Sequence, residues 1–131
     1  MAFRVLRLDH VVLRVANREA SLAFYCGALG CRIERDRPDI GLIQLRAGDS
    51  QIDLVLGKGS PTADAGFNVD HFCIRIEPFE ETAIRNHLAG YGVDTGPIAP
   101  RFGADGTGPS IYVKDPDGNT VELKGPPFAT G

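Results

Sequence analysis

The chain has 131 residues, of which 43% are apolar and 24% charged, and carries a net charge of −3. This is the profile of one ordinary globular domain, with no basic block or acidic tail to suit nucleic acid or an anionic membrane. No window approaches the roughly 18 apolar residues of a membrane span and the first residues hold no apolar signal core, so a cytoplasmic protein is expected. Cys26, Cys31 and Cys73 are odd in number and lack CxxC spacing, which predicts reduced thiols without a chemical role.

Residues 6–15 alternate as a strand, with Val11, Leu13 and Val15 on one face and His10, Val12 and Arg14 on the other. Asn17 is placed to cap a helix running to about Leu29, with Glu19 in its first turn and Gly30 ending it. Its apolar stripe is Ala20, Leu22, Ala23, Phe24, Ala28 and Leu29. Strands follow over 31–36, 41–47 and 51–56, the last two joined through Gly48, Asp49 and Ser50. Residues 58–68, rich in Gly, Ser, Pro and Asp, read as a linker.

The same order then begins again. Residues 69–76 fall on residues 8–15, with Asp9/Asp70, His10/His71 and Arg14/Arg75 identical. A helix over about 79–89 ends at Gly90, residues 93–98 make a poor strand, and 99–109 read as a Gly-rich loop. Residues 110–124 form a hairpin that turns at Pro116, Asp117 and Gly118. Val121 and Leu123 share one face of its second strand, while Thr120, Glu122 and Lys124 share the other. Ile52-Asp53-Leu54 falls on Val121-Glu122-Leu123, so the chain is one domain made of two repeats, about 6–57 and 69–125.

Duplicated units pack about a pseudo-twofold axis, which sets corresponding positions side by side. His10 corresponds to His71 and Asp53 to Glu122, and all four lie on the strand face away from the helical stripes. Two imidazoles and two carboxylates suit Zn, Ni, Co, Mn or Fe(II). The competing reading is a pair of core histidines bonded to backbone carbonyls and a Glu122 that faces solvent.

On Leu8-Asp9-His10, Asp70-His71, Asp115-Pro116-Asp117-Gly118-Asn119 and Val121-Glu122-Leu123, the chain resembles the vicinal oxygen chelate superfamily. That group includes glyoxalase I, extradiol dioxygenases, methylmalonyl-CoA epimerase, fosfomycin-resistance thiol transferases and bleomycin-resistance proteins. The resemblance implies an α+β fold, two βαβββ modules forming an open, incomplete barrel around a metal cleft, with one divalent ion per site. It carries the ligand role onto His10, His71 and Glu122, and the fourth ligand position onto Asp53. Glyoxalase and epimerase members have Glu or Gln at that fourth position. Asp is one methylene shorter, so Asp53 could instead bond a water or act as the base.

By the same resemblance Tyr112 falls where dioxygenases and fosfomycin enzymes carry a substrate-facing tyrosine; the competing reading is a tyrosine half-packed at a sheet edge. Arg14 and Arg75 share the inward parity of the histidines and could anchor an anionic substrate or pair with carboxylates. Arg101 lies in the Gly-rich loop, where it is either a solvated side chain or an element of a lid, and His87 lies on a helix surface. The expected activity is of glyoxalase type: the metal chelates vicinal oxygens of a small substrate and stabilises an enediolate-like intermediate, while Asp53 or Glu122 moves the proton. The alternatives are an Fe(II) extradiol dioxygenase, a thiol transferase and a drug-binding resistance protein. A homodimer is expected.

Overall fold

A computed structural model describes residues 7–56, 69 and 71–129, and the linker expected over 58–68 lies outside them. The chain divides into two compact units, Met1–Pro61 and Thr62–Gly131. Each holds one four-stranded mixed sheet, and the α+β class read from the sequence is found.

The first unit runs β1 (His10–Val15), α1 (Arg18–Leu22), β2 (Arg32–Arg37), β3 (Leu42–Ala47) and β4 (Ser50–Leu56), in sheet order β1-β4-β3-β2. β1 and β4 pair in parallel, while the other neighbours are antiparallel. The strand alternation buries Val15, Ile43, Leu45, Ile52 and Leu54, each at 3% exposure or less. Asn17 is the cap, and its side chain accepts from the Ala20 amide at 2.8 Å. Asn17→Ala is expected to cost about 1 kcal/mol in chemical denaturation, because that amide loses its acceptor; an unchanged midpoint would show the cap to be dispensable.

The first helix departs from the expectation of a continuous α-helix to Leu29. After α1 the chain widens into a π-helical turn over Ala23–Ala28, with the Leu29 amide bonded to the Phe24 carbonyl at 2.9 Å. Tyr25, absent from the expected apolar stripe, is fully buried with its ring edge-on to Phe24 at 4.9 Å. A 3.6-residue periodicity does not register such an insertion. Past the turn, Gly41 has a φ of +66°, and a side chain there would meet the Leu56 carbonyl oxygen at 2.8 Å.

The second unit runs β5 (Phe72–Arg75), α2 (Glu81–Ala89), β6 (Ala99–Gly103), β7 (Gly106–Lys114) and β8 (Thr120–Lys124), in sheet order β5-β8-β7-β6. Its topology and its parallel first-to-last pairing repeat those of the first unit. Glu80 caps α2, accepting from the Thr82 and Ala83 amides. Leu88 of α2 and Ile111, Val113, Val121 and Leu123 of the sheet form the buried side.

The loop expected over 99–109 is instead the hairpin of β6 and β7, while 93–98 forms no strand. Glycine and proline lower strand propensity, but β6 is an edge strand and Pro100 faces Pro109 across the pair, so the missing amides are tolerated there. Gly108 answers to packing, since a Cβ at that position would stand 2.6 Å from the Pro126 carbonyl oxygen. Propensity is overridden by tertiary context.

Candidate metal centre

Cross-strand register sets the equivalent residues of the two units. In the first, Asp53 lies beside Val12 of β1 and Gln44 of β3. In the second, Glu122 lies beside Cys73 of β5 and Tyr112 of β7. Corresponding residues therefore have corresponding ladder partners, with Gln44 standing where the other unit has Tyr112.

In the second unit, Glu122 is 6% exposed although it sits on the face where a strand carboxylate in a half-solvated sheet would meet water. Burial of a carboxylate is costly unless it is bonded or paired, and both of its oxygens are engaged. Ser110 Oγ donates to Oε2 at 2.8 Å, and His71 Nε2 stands 3.2 Å from Oε1. The Tyr112 ring meets His71 edge-on at 5.3 Å and carries the Arg101 guanidinium over its face at 4.2 Å.

In the first unit, Asp53 is also 6% exposed and accepts from Gln51 Nε2 at 2.8 Å and, more weakly, from Gln44 Nε2 at 3.4 Å. His10 is half-exposed and its Nδ1 is 2.8 Å from Asp9 Oδ1. That bond raises the imidazole above its ordinary pKa, with the charge of Asp53 adding to it. With Nδ1 held by a carboxylate, Nε2 is the ring nitrogen that could bind a metal, as is common for metal-binding histidines.

The donor chemistry fits a divalent ion, one imidazole and one carboxylate per unit. Two donors on one ion at 2.0–2.2 Å are separated by about 3 Å, and Nε2 of His71 and Oε1 of Glu122 stand at 3.2 Å. Among the described residues, no group of three or more His, Cys, Asp or Glu side chains lies together as a ready-made metal cluster. The second unit brings its imidazole and carboxylate together, whereas in the first His10 bonds Asp9 and Asp53 bonds Gln51 and Gln44.

The other expected residues are placed as follows. Arg75 pairs with Asp105 at 3.3 Å and Glu77 at 3.6 Å, whereas Arg14 is exposed and makes no ion pair among the described residues. His87 lies exposed on α2 against Tyr91, as expected. Arg101 is not in a lid loop; it is in β6 and donates to the Ser110 carbonyl and hydroxyl at 3.0 and 3.1 Å. Cys31 is buried and its thiol is pushed up to about 11 by that burial, which suits a thiol without a chemical role. Ser110, Gln51 and the 3%-exposed Lys124, whose Nζ donates to the Gly106 carbonyl, were not singled out by sequence. Strand parity two residues before Tyr112 is the signal that would have found Ser110.

An α+β chain of two βαβββ units, each placing a histidine and a carboxylate at corresponding positions, defines a class of proteins rather than a reaction. The profile of the Glyoxalase/Bleomycin resistance protein/Dioxygenase superfamily matches residues 7–123, and the chain belongs to that superfamily, the vicinal oxygen chelate group. It is 34% identical to the ethylmalonyl-CoA/methylmalonyl-CoA epimerase of Cereibacter sphaeroides, over 90% of this chain and 96% of the relative. It is 27% identical to the lactoylglutathione lyase of Salmonella typhimurium, over 90% and 91%. Among solved structures, an integron cassette protein from the mobile metagenome of Vibrio cholerae superposes with a TM-score of 0.74 at 28% identity, covering 94% of this chain and 97% of that one.

Proposed function

We propose that the protein is a metal-dependent enzyme that moves a proton at a carbon next to a carbonyl, in the manner of the epimerase and lyase relatives. One divalent ion (Zn, Ni, Co, Mn or Fe(II)) would be held by His10, His71 and Glu122, with Asp53 as the fourth ligand or as the base. When bound, it supplies Lewis-acid stabilisation of negative charge on two adjacent oxygens. The observation that supports this reading is the 3.2 Å imidazole–carboxylate pair of His71 and Glu122, whose positions are taken by His10 and Asp53 in the first unit.

The chain's own residues then have defined tasks. Asp53, fixed by Gln51 and Gln44, is an oriented carboxylate able to take a proton from the substrate carbon and return it. Tyr112 presents a phenol beside His71 that can donate to a substrate oxygen. Arg14, unpaired among the described residues, is the anchor for an anionic substrate group; Arg75 is already engaged by carboxylates. A substituted malonyl thioester is the first substrate class to try, by similarity to the epimerase. A cytoplasmic homodimer belongs to the same reading.

The dioxygenase alternative lacks a further histidine for acid–base work. The chain has three, and His87 lies exposed against Tyr91 on α2. Incubation in D₂O with methylmalonyl-CoA should wash deuterium into the acidic carbon, with no oxygen consumed from a panel of catechols. Oxygen uptake with any catechol would transfer the assignment to ring cleavage.

A further inference from the structure

Among the described residues, a relay in the second unit has no counterpart in the first. Arg101 Nη1 donates to Ser110 Oγ at 3.1 Å and to the Ser110 carbonyl at 3.0 Å. Ser110 is fully buried, and its hydroxyl has a single proton. With Arg101 occupying a lone pair of the oxygen, that proton is directed to Glu122 Oε2, at 2.8 Å. The Asp53 carboxylate of the first unit instead meets two neutral amides.

We propose that Arg101 and Ser110 are positioning residues that hold Glu122 Oε2 out of the coordination sphere, so that the carboxylate offers a metal only Oε1. Oε1 is the oxygen facing His71 Nε2 at 3.2 Å. The same guanidinium lies 4.2 Å over the Tyr112 ring, whose edge meets His71. One cation therefore braces both the carboxylate and the aromatic neighbour of the imidazole. A guanidinium suits this double duty because it donates in its plane and stacks on its face, which an ammonium cannot do. Bonds in such a chain polarise one another, so the link from Arg101 strengthens the grip of Ser110 on Glu122.

The inference rests on Glu122 being a metal ligand, and its test separates the two claims. Apo protein is titrated with Co²⁺, reading affinity by competition with a chelator and coordination from the visible absorption band. Wild type should bind one ion per chain and Glu122→Gln should not. Ser110→Ala should bind about 10- to 100-fold more weakly. Its visible band should also weaken, as the freed carboxylate binds through both oxygens and the coordination number rises. Arg101→Ala, on an edge strand where a fold defect is less expected, should shift affinity and band in the same direction. Arg101→Lys should fail to restore them, and melting curves report on folding throughout. Wild-type affinity and band in both Ser110→Ala and Arg101→Ala, with Glu122→Gln still inactive in binding, would overturn the relay and leave the metal reading standing. A wild type that binds no cobalt overturns both.

Discussion

Glu122→Gln is expected to lower the affinity for Zn²⁺ or Co²⁺ by at least about 100-fold, more than the loss typical of an outer-shell partner. The substitution keeps size and shape but exchanges an anionic oxygen donor for a neutral amide, a far poorer ligand for these ions. Stability should move the other way or not at all. Glu122 is 6% exposed, and a buried carboxylate carries a desolvation cost that the amide escapes. Ser110 Oγ can still donate to the amide oxygen at the position now held by Oε2. The expected signature is thus lost metal with an unchanged or raised melting temperature, read by competition titration and thermal denaturation on the same sample. His71→Ala should reproduce the loss of metal. Full affinity in both variants would remove Glu122 and His71 from the ligand set.

Asp115→Ala is expected to cost about 3 kcal/mol of stability, within the range for hydrogen bonds to a buried charged acceptor. Asp115 is 5% exposed, and its carboxylate accepts from the Asp117 amide at 2.9 Å, the Asn119 amide at 2.7 Å and Asn119 Nδ2 at 2.8 Å. Gly118, with a φ of +84°, completes the corner of the turn between β7 and β8. For a chain of this size the loss corresponds to a melting temperature lower by roughly 10 °C. Asp115→Asn keeps an oxygen acceptor for the backbone amides and should recover about half of it. The turn also holds Tyr112 opposite Glu122 and Ser110 opposite Lys124. Metal affinity should therefore fall in Asp115→Ala even at temperatures where the chain stays folded. A melting temperature within a degree or two of wild type would mean that the strands, not the turn, set this register.

Much of this was legible in the residues. The alternation of Val11, Leu13 and Val15 against His10, Val12 and Arg14 is a local, period-two signal, and the burial of β1 follows it. The turn at Pro116, Asp117 and Gly118 and the cap at Asn17 are likewise chemistry of neighbours. Misreadings arose where a local signal met a distant constraint. Residues 99–109 look like a loop by propensity but pair as β6 and β7, because an edge strand tolerates proline and Pro126 requires a glycine at 108. A loop over that stretch leaves Arg101 solvated or in a lid, whereas the strand bonds it to Ser110.

By itself, the sequence determined the class of the fold and the superfamily, and it singled out His10, Asp53, His71 and Glu122 as the candidate site residues. All of these are carried by residue type and spacing, which survive without coordinates. Only the tertiary structure decided which groups hold each carboxylate: Gln51 and Gln44 on Asp53, Ser110 and His71 on Glu122. Spacing along a strand says which face a side chain takes, but not which neighbour it meets. That depends on the register between strands, fixed by packing and turns many residues away.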